Sequence, residues 1–408
     1  LTIPIAKVEI GFDLDNATAT VFTLDDDVKG LLDNDVYLLG GTIFFDVTNK
    51  VKSVSVRRGK NRQLDEFDAG LANIVFDNND RTFDPTFAGS PYAGQIIPKR
   101  AVRISSGGQR IFTGVIDDWN LEYEPNGNSD ASAAASDAFT LFNTQTMPGG
   151  TATAQTTSER LNAVLDFPDV SWSQVDRNFQ VGQTALGTDV FPENGNVLNY
   201  MRQVANSEPG NLYMGKSGAL NFTNRTTASG SLSVVFADDG TGIGYTGMRV
   251  VYGSELLFNE IVLGSQAAGT VVATDANSIN EYGVLNLTQN DLLLSNPDYL
   301  ANLAIFYAIK FSEPEYRFES VDVTLNDLGA ESQATMLGIE ISDFVTVRFT
   351  PNGIAPAIER IAQVIRIDHD ITPSGHIISL GFSTVDTGFF TLSDPIFGRL
   401  STGNVLGF

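Results

Sequence analysis

The chain holds few residues from which a catalytic or metal site could be assembled. It has two histidines, His369 and His376, and no cysteine, so disulfides, thiolate metal sites and cysteine nucleophiles are excluded. Asp368–His369–Asp370 places three possible ligands in a row. On a strand, alternation turns His369 away from both aspartates, whereas a zinc site needs three or four ligands converging on one point. Both histidines are therefore expected on the surface of a hairpin. Asp77, Asn78, Asn79 and Asp80 look like the opening of a calcium loop. The glycine needed at its sixth position and the glutamate needed at its twelfth are replaced by Thr82 and Ala88. Turn capping by short polar side chains accounts for these four residues better. There is no GxSxG elbow, GxxxxGK[ST] loop or HExxH helix. A glycosidase-like carboxylate pair is a matter of separation in space. No catalytic residue, metal ligand or cofactor is assigned, and the chemistry left to explain is that of a shaped loop.

That loop lies within Leu64–Gly94, LDEFDAGLANIVFDNNDRTFDPTFAGSPYAG. Leu71–Phe76 predicts a strand. After it, the Asp/Asn run, Pro85, Pro91, Gly89 and Gly94 forbid a regular element, because each proline fixes φ and removes a donor. Phe83, Phe87 and Tyr92 are spaced through the turns. Such aromatics point to an anchored loop, since disordered segments are poor in them. Pro98, Arg100 and the strand-like AVRIS of 101–105 follow, then FTG at 112–114 and IDDW at 116–119.

This string resembles the baseplate hub proteins of long-tailed bacteriophages, the minor tail or tail-tip proteins of siphophages of the actinobacterial type. The match is densest over residues 57–119, and a looser likeness in element order continues to about residue 388. The resemblance implies a mainly β fold with a small α/β insert: two β-barrel-like tube domains and peripheral domains. Its divisions are a first barrel over 1–150 with a long loop at 59–99, a small α/β peripheral domain over 151–242, a second barrel over 243–388 with a helical insertion around 266–312, and a C-terminal arm over 389–408. It also implies a structural virion protein, a homotrimeric ring that continues and closes the tail tube for DNA passage. Expected partners are further copies of itself, the distal tail ring, the tape measure protein and other tail-tip or receptor-binding proteins. DNA is met only in transit, and no membrane by this chain alone. The motif residues that would hold the loop and its interface are Gly70, Asp77, Asp80, Arg81, Asp84, Pro85, Pro91, Tyr92, Gly94 and Arg103, with Arg81 pairing one of the aspartates. The alternatives are a hexameric distal tail ring protein, a secreted carbohydrate-binding β module resting on Trp119 and Trp172, and a peptidoglycan hydrolase.

Composition agrees with a β-rich chain of several domains. The 408 residues, 42% of them hydrophobic, suffice for more than one core. With 38 glycines, 15 prolines and much Thr, Val and Phe, strands are favoured over helices. A net charge of −24 argues against an outer surface that grips nucleic acid, and an acidic lumen would let DNA slide. The opening LTIPIAKVEIGFDLD lacks a signal-peptide pattern, and no run approaches a membrane helix, which predicts a virion part assembled in the host cytoplasm. Lys50, Lys52, Arg57, Arg58, Lys60 and Arg62 cluster without an acid among them, as a solvated loop or a contact with an acidic neighbour.

Local patterning supplies the remaining elements. Ala6–Phe12, Ala17–Leu24 and residues 42–47 read as strands, and Ala131–Asn143 suits strand or helix. Met147–Thr157 reads as a linker. A capped helix begins near Ser158, a second spans Asn196–Asn206, and NLYM-GKSG-ALNF forms a hairpin. Asn296–Pro297 starts a helix ending near Lys310. Strands follow at Glu319–Leu325, Phe344–Phe349, Glu359–Asp368 and Ile377–Phe382. VRISSGGQRIFTGVIDDW (102–119) and VRFTPNGIAPAIERIAQVIRIDHD (347–370) share a layout, a faint echo that would arise from a duplicated β unit or from the general likeness of hairpins.

Overall fold

Period-two patterning builds the long strands. In Asp68–Asp77 the buried positions are Gly70, Ala72, Ile74 and Phe76, and in Glu315–Thr324 they include Val321 and Val323. Each such strand offers one apolar face to a common core. The computed structural model describes residues 3–12, 43–225, 234–384, 389–390 and 405–406. The expected strand at Ala17–Leu24 lies outside the described residues, as does most of the expected arm over 389–408.

The first half of the chain supplies β1 (Ala6–Gly11), β2 (Phe44–Asp46), β3 (Val51–Gly59), β4 (Asp68–Asp77), β5 (Ala101–Ser106), β6 (Gln109–Tyr123) and β7 (Ser129–Ser136). An α/β insert follows with α1 (Ala138–Thr144), α2 (Thr157–Leu165), α3 (Val197–Asn206) and the hairpin β8 (Asn211–Met214)–β9 (Leu220–Thr223). The second half begins with β10 (Val234–Ala237) and β11 (Gly247–Gly253). A second insert then carries β12 (Glu260–Ser265), β13 (Gly269–Thr274), α4 (Ala276–Tyr282), β14 (Asn286–Leu292) and α5 (Pro297–Phe311). The chain closes with β15 (Glu315–Thr324), α6 (Ala330–Gly338), β16 (Phe344–Phe349), β17 (Ile358–Thr372) and β18 (Gly375–Thr384).

The fold is mainly β, and its two halves share one 13-stranded sheet. Within the first half the neighbours run β3-β4-β7-β6-β5-β1. Within the second they run β11-β15-β18-β17-β16-β10. Numbered along the chain, these are the second, third, sixth, fifth, fourth and first major strands of each half, so the two halves share one order. The one difference is β10, which lies parallel to β16 where β1 lies antiparallel to β5. The echo detected in sequence is therefore a repeated topology, and each echoed segment is a hairpin whose second strand has 15 residues. The halves join where β3 pairs antiparallel with Arg366–Ile371 of β17.

One hydrophobic cluster spans both halves and the α/β insert. The second insert has its own, around Ile261, Leu263, Leu300, Leu303, Ala304 and Phe311. Helix starts follow local capping. Asn196 and Asn296 accept backbone N–H bonds from Asn199 and Asp298, and Pro297 occupies the first turn of α5. α2 starts earlier than Ser158, because Thr156 and Glu159 form a capping box. Ala131–Asn143 is both things in turn, the end of β7 and then α1 capped by Asp137.

Met147–Thr157 is not a linker. Gly150–Ala152 pairs with Asp189–Phe191, and Gln155–Thr156 pairs with Ala185–Leu186. The cause is Arg160, whose side chain is fully buried. It donates to Gln155 Oε1 (3.0 Å), Tyr200 OH (2.8 Å), Thr153 O (2.8 Å) and Gly187 O (2.7 Å). Arg160→Ala strips these acceptors of their donor, so the expected loss is about 3 kcal/mol. A lower urea midpoint would register it, while an unchanged midpoint would mean that water replaces the guanidinium.

Candidate functional site

Between β4 and β5 the chain makes a staircase of turns. Arg81 N–H donates to Asn78 O (2.8 Å), Asp84 to Arg81 (3.2 Å), Phe87 to Asp84 (3.2 Å), Ser90 to Phe87 (3.0 Å) and Ala93 to Ser90 (3.1 Å). One turn ends where the next begins, every third residue. Side chains reinforce the steps: Asp77 Oδ1 accepts Asn79 N–H (3.1 Å), Asp80 Oδ1 accepts Thr82 N–H (3.2 Å), Asp84 Oδ1 accepts Thr86 N–H (2.8 Å), and Ser90 Oγ accepts Tyr92 N–H (3.0 Å). These are Asx and Ser turns that satisfy backbone donors locally. Pro85 and Pro91 occupy the second positions of the turns starting at Asp84 and Ser90, where a fixed φ is favourable. Gly94 takes φ 76°, with nothing within 4 Å of where a Cβ would stand, so conformation rather than space requires glycine there.

Two anchors hold the staircase to the sheet. The polar one is Asp84, which is buried. Its Oδ2 accepts Arg81 Nε (2.8 Å), Arg81 Nη2 (2.7 Å) and Tyr123 OH (3.1 Å), and its Oδ1 also accepts Thr86 Oγ1 (2.7 Å). Arg81 pairs an aspartate as expected from the resemblance. Its left-handed backbone (φ 60°) is offset by this ion pair and by the Phe87 ring 4.6 Å from its guanidinium. Asn78, fully buried, adds Phe83 N–H (2.8 Å) and the backbone bond to Ser129 O (2.9 Å). The apolar anchor is Phe83, whose ring lies 4.3 Å from Phe76 and 5.8 Å from Trp119. Tyr92 stacks at 4.2 Å on Phe12 of the first half's opening segment.

The motif residues Asp77, Asp80, Arg81, Asp84, Pro85, Pro91, Tyr92 and Gly94 thus share one loop, but Gly70 and Arg103 stand elsewhere. Gly70 N–H donates to Asp137 Oδ2 (2.6 Å), and a Cβ at residue 70 would approach that oxygen to 2.7 Å. Arg103 lies on β5 with its guanidinium 3.5 Å above the Phe44 ring. Asn78 caps a backbone N–H as its residue type suggested, whereas motif reading missed Thr86, Ser90 and Tyr123. Thr86 and Ser90 carry a local signal, the end of the Asp84 Asx turn and the start of a Ser turn, whereas Tyr123 lies 39 residues from Asp84 and carries none.

Four of the six residues of the basic cluster pair with acids of their own chain. Lys50 reaches Asp80 (2.6 Å), Lys52 reaches Asp130 (2.7 Å), Arg62 reaches Glu255 (2.6 Å), and buried Arg58 reaches Glu340 (2.7 Å). β3 runs between acidic neighbours of its own chain. The histidines correct their expectation as well, since both are buried. His369 Nδ1 lies 3.0 Å from His376 Nε2, and His376 Nδ1 lies 3.1 Å from Ser106 Oγ of the first half. Burial pulls both imidazoles below their ordinary value, His376 to about 4. They form a neutral hydrogen-bonded chain across the junction of the halves. Among the described residues no three His, Asp or Glu side chains gather to hold a metal ion. The carboxylates of Asp77 and Asp80 are engaged in turns and in the Lys50 pair.

No protein-family model matches the sequence, and no curated protein matches it. Solved structures do match the fold. The 43 kDa tail protein of prophage MuSo2 from Shewanella oneidensis aligns with TM-score 0.57 at 14% identity, over 84% of this chain and 94% of that one. The tail protein from Neisseria meningitidis MC58 aligns with TM-score 0.59 at 12% identity, over 93% and 97%. Prophage tail protein gp18 from Listeria monocytogenes EGD-e aligns with TM-score 0.50 at 12% identity, over 84% and 92%. At these identities what is shared is the fold.

The Asp84 carboxyl is held well below the usual range, first by the Thr86 hydroxyl and amide and then by Arg81. A depressed acid stabilises the fold fully above its unfolded value, about 3.9 in model peptides, and loses that contribution as pH falls through its lower folded value. Asp84→Asn should therefore unfold at lower temperature than wild type at neutral pH, and the gap should close as the pH is taken well below about 4. A gap of constant size would show that the charge is not what secures the loop.

Proposed function

We propose that the protein is a structural component of a bacteriophage tail, a baseplate hub at the tail tip. In this reading three copies form a ring that continues the tail tube and closes its end until DNA passes. The observation that supports it most strongly is the repeated six-strand order, with the two halves joined edge to edge through β3 and β17. That joint uses different edges of two similar units, so it is heterologous, and repeating it between chains generates a ring when the rotation closes. Three chains bring six similar units to such a ring. A six-chain ring of single units, as in the distal-ring alternative, calls for one copy of the strand order per chain, whereas this chain has two. The fold likeness to tail proteins over most of their length agrees with this reading.

The first half (1–150) and the second half, which begins with β10 at Val234 rather than at residue 243, act as the tube domains, the α/β insert between them sits at the periphery, and the insertion around 266–312 decorates the second tube domain. The staircase loop stiffens the first tube domain where copies meet. The distal tail ring, the tape measure protein and other tip or receptor-binding proteins are the partners this position calls for. A net charge of −24 suits a conduit that DNA crosses without binding. No catalytic role is proposed, because the polar clusters described are engaged in holding turns and joints.

Light scattering on the purified protein should give the mass of three chains. A hexamer would move the assignment to the distal ring, and a monomer at every concentration would remove the ring. Arg81→Ala, which frees the buried Asp84 carboxylate of its cation, should leave tails that lack a completed tip in electron micrographs. Normal tails from that variant would show that the loop is dispensable for assembly.

A further inference from the structure

We propose that β11 of one copy pairs antiparallel with residues 118–123 of β6 in the next copy, placing Arg249 opposite Glu122 and Tyr252 opposite Trp119. This rests on the ring reading above and specifies its joint.

The repeat supplies the register. Ile116 in β6 and Val364 in β17 each stand immediately before a bulge, opposite β7 and β18 respectively. Each accepts an N–H from a non-glycine residue in the left-handed region, Lys99 (φ 66°, 2.6 Å) and Ser342 (φ 72°, 2.8 Å). Each also donates to the residue after that one, Arg100 and Asp343, at 2.8 Å in both cases. Residues 118–123 therefore occupy the sheet position that 366–371 occupy in the second half. The latter pair with β3, from Arg366 opposite Gly59 to Ile371 opposite Val54. The former have β7 on one side, and on the other no backbone partner among the described residues.

β11 stands in the second half where β3 stands in the first. Each pairs with the next major strand, β15 and β4, and each ends in glycine, Gly253 and Gly59. β11 uses only that one edge among the described residues. Carrying the β3–β17 joint over to two copies sets Asp118 opposite Gly253, Trp119 opposite Tyr252, Glu122 opposite Arg249 and Tyr123 opposite Met248.

The side chains at these positions suit that contact. Met248, Val250 and Tyr252 point to one face of β11, and the first two pack against the core, yet Tyr252 is 68% exposed. Its counterpart in β3, Arg58, is only 3% exposed, because Glu340 and the Met214 carbonyl of the same chain cover it. Tyr252 lacks its cover. Where Glu340 stands in the second half, two residues before Ser342, the first half has Ile97, two residues before Lys99 and 44% exposed. Ile97 is fixed beside Trp119, whose Nε1 donates to its carbonyl (3.2 Å). The next copy thus presents an apolar seat, backed by Phe83 of the staircase loop, to an uncovered tyrosine. On the opposite face Arg249, which now reaches Glu319 (2.8 Å), meets the carboxylate of Glu122, and opposite charges directly across a ladder are favourable.

The chain has no cysteine, so introduced pairs can be read without background. The bond from Lys60 N–H to Ile365 O makes Ser55–Asp370, the counterpart of Arg249–Glu122, a non-hydrogen-bonded pair, the kind with the closer side chains. Glu122→Cys together with Arg249→Cys, oxidised in the full-length protein, should give covalent dimers and trimers on a denaturing gel that collapse on reduction. Glu122→Cys with Val251→Cys, shifted by two residues, should link weakly. A trimer by light scattering that fails to cross-link at 122–249 overturns this joint and leaves the ring reading standing. Preferential linking at 122–251 overturns the register. A monomer that never links overturns both. Unchanged thermal unfolding of each reduced double variant verifies that it folds, and Tyr252→Ala, with both cysteine sites native, should shift the trimer toward monomer by at least tenfold in concentration.

Discussion

A sheet edge is a row of unmet backbone donors and acceptors, and the way this chain meets that requirement determines most of its architecture. β3 would be such an edge in the first half alone, and its inner face carries Val54 and Val56 into the core. The far half of β17 covers it over six residue pairs. That pairing is tight. A Cβ at Gly59 would stand 2.1 Å from Ile365 O, and Gly59 itself has φ 114°, so only glycine lets the two backbones approach there. Once the joint is made, the neighbours of both strands are fixed with it. Ser106 meets His376 across it, Arg58 meets Glu340, and the α/β insert is held against the second half through Lys216, which donates to the carbonyls of Leu337 and Gly338.

The staircase loop answers a related problem on the other side of the first half. The first half must pass from β4 to β5 over the outer end of β6, a long way for a chain with no helix to bridge it. The second half crosses the corresponding gap between β15 and β16 with a 3-10 turn and α6. In the first half, successive turns do it, each satisfying its own donors so that few backbone groups are left to be buried unpaired. The cost of holding Arg81 and Lys99 in left-handed conformations is met by contacts that reach across the fold: Asp84 to Tyr123, Asp80 to Lys50, Phe83 to Trp119. The loop is tied to three strands, β4 through Phe76, β6 through Trp119 and Tyr123, and β7 through Ser129.

How much of this could be read from the sequence follows from the range of each interaction. Short-range features were legible. The Asp/Asn run, Asp84–Pro85 and Ser90–Pro91 announce turns by local chemistry, and Asn296–Pro297 announces a helix start. Strand alternation foretold β15 to β18 to within a few residues. Long-range features were not. The histidines looked like surface residues because their companion, Ser106, is 270 positions away from His376. The basic cluster looked unpaired because its acids lie on other strands. Met147–Thr157 looked like a linker because its small residues do not show that Arg160 threads through them. The duplication was faint for a physical reason: the two hairpins differ in the length of their connecting turn, and the matching left-handed positions are lysine and serine, so no glycine marks them. Backbone pairing preserves the repeat where side chains have diverged.

That divergence is itself ordered at one position. Arg58 and Tyr252 hold the same place in their strands, but they face different circumstances. The joint made by Arg58 forms once, as the chain folds, and never has to open to water. A buried cation can stand there even though two of its guanidinium nitrogens find no acceptor among the described residues, because the Glu340 carboxylate is delivered by the same chain. In the proposed joint, Tyr252 must exist first on a free subunit. A buried-type ion pair would be a poor choice for that edge, since each partner would give up its full hydration at every association. Tyrosine tolerates exposure through its hydroxyl, brings a large apolar face with few rotatable bonds, and gains on being covered. A polar seam inside the chain and, in the proposed joint, an aromatic one at the vacant edge are what the same sheet geometry requires when one contact is permanent and the other has to assemble.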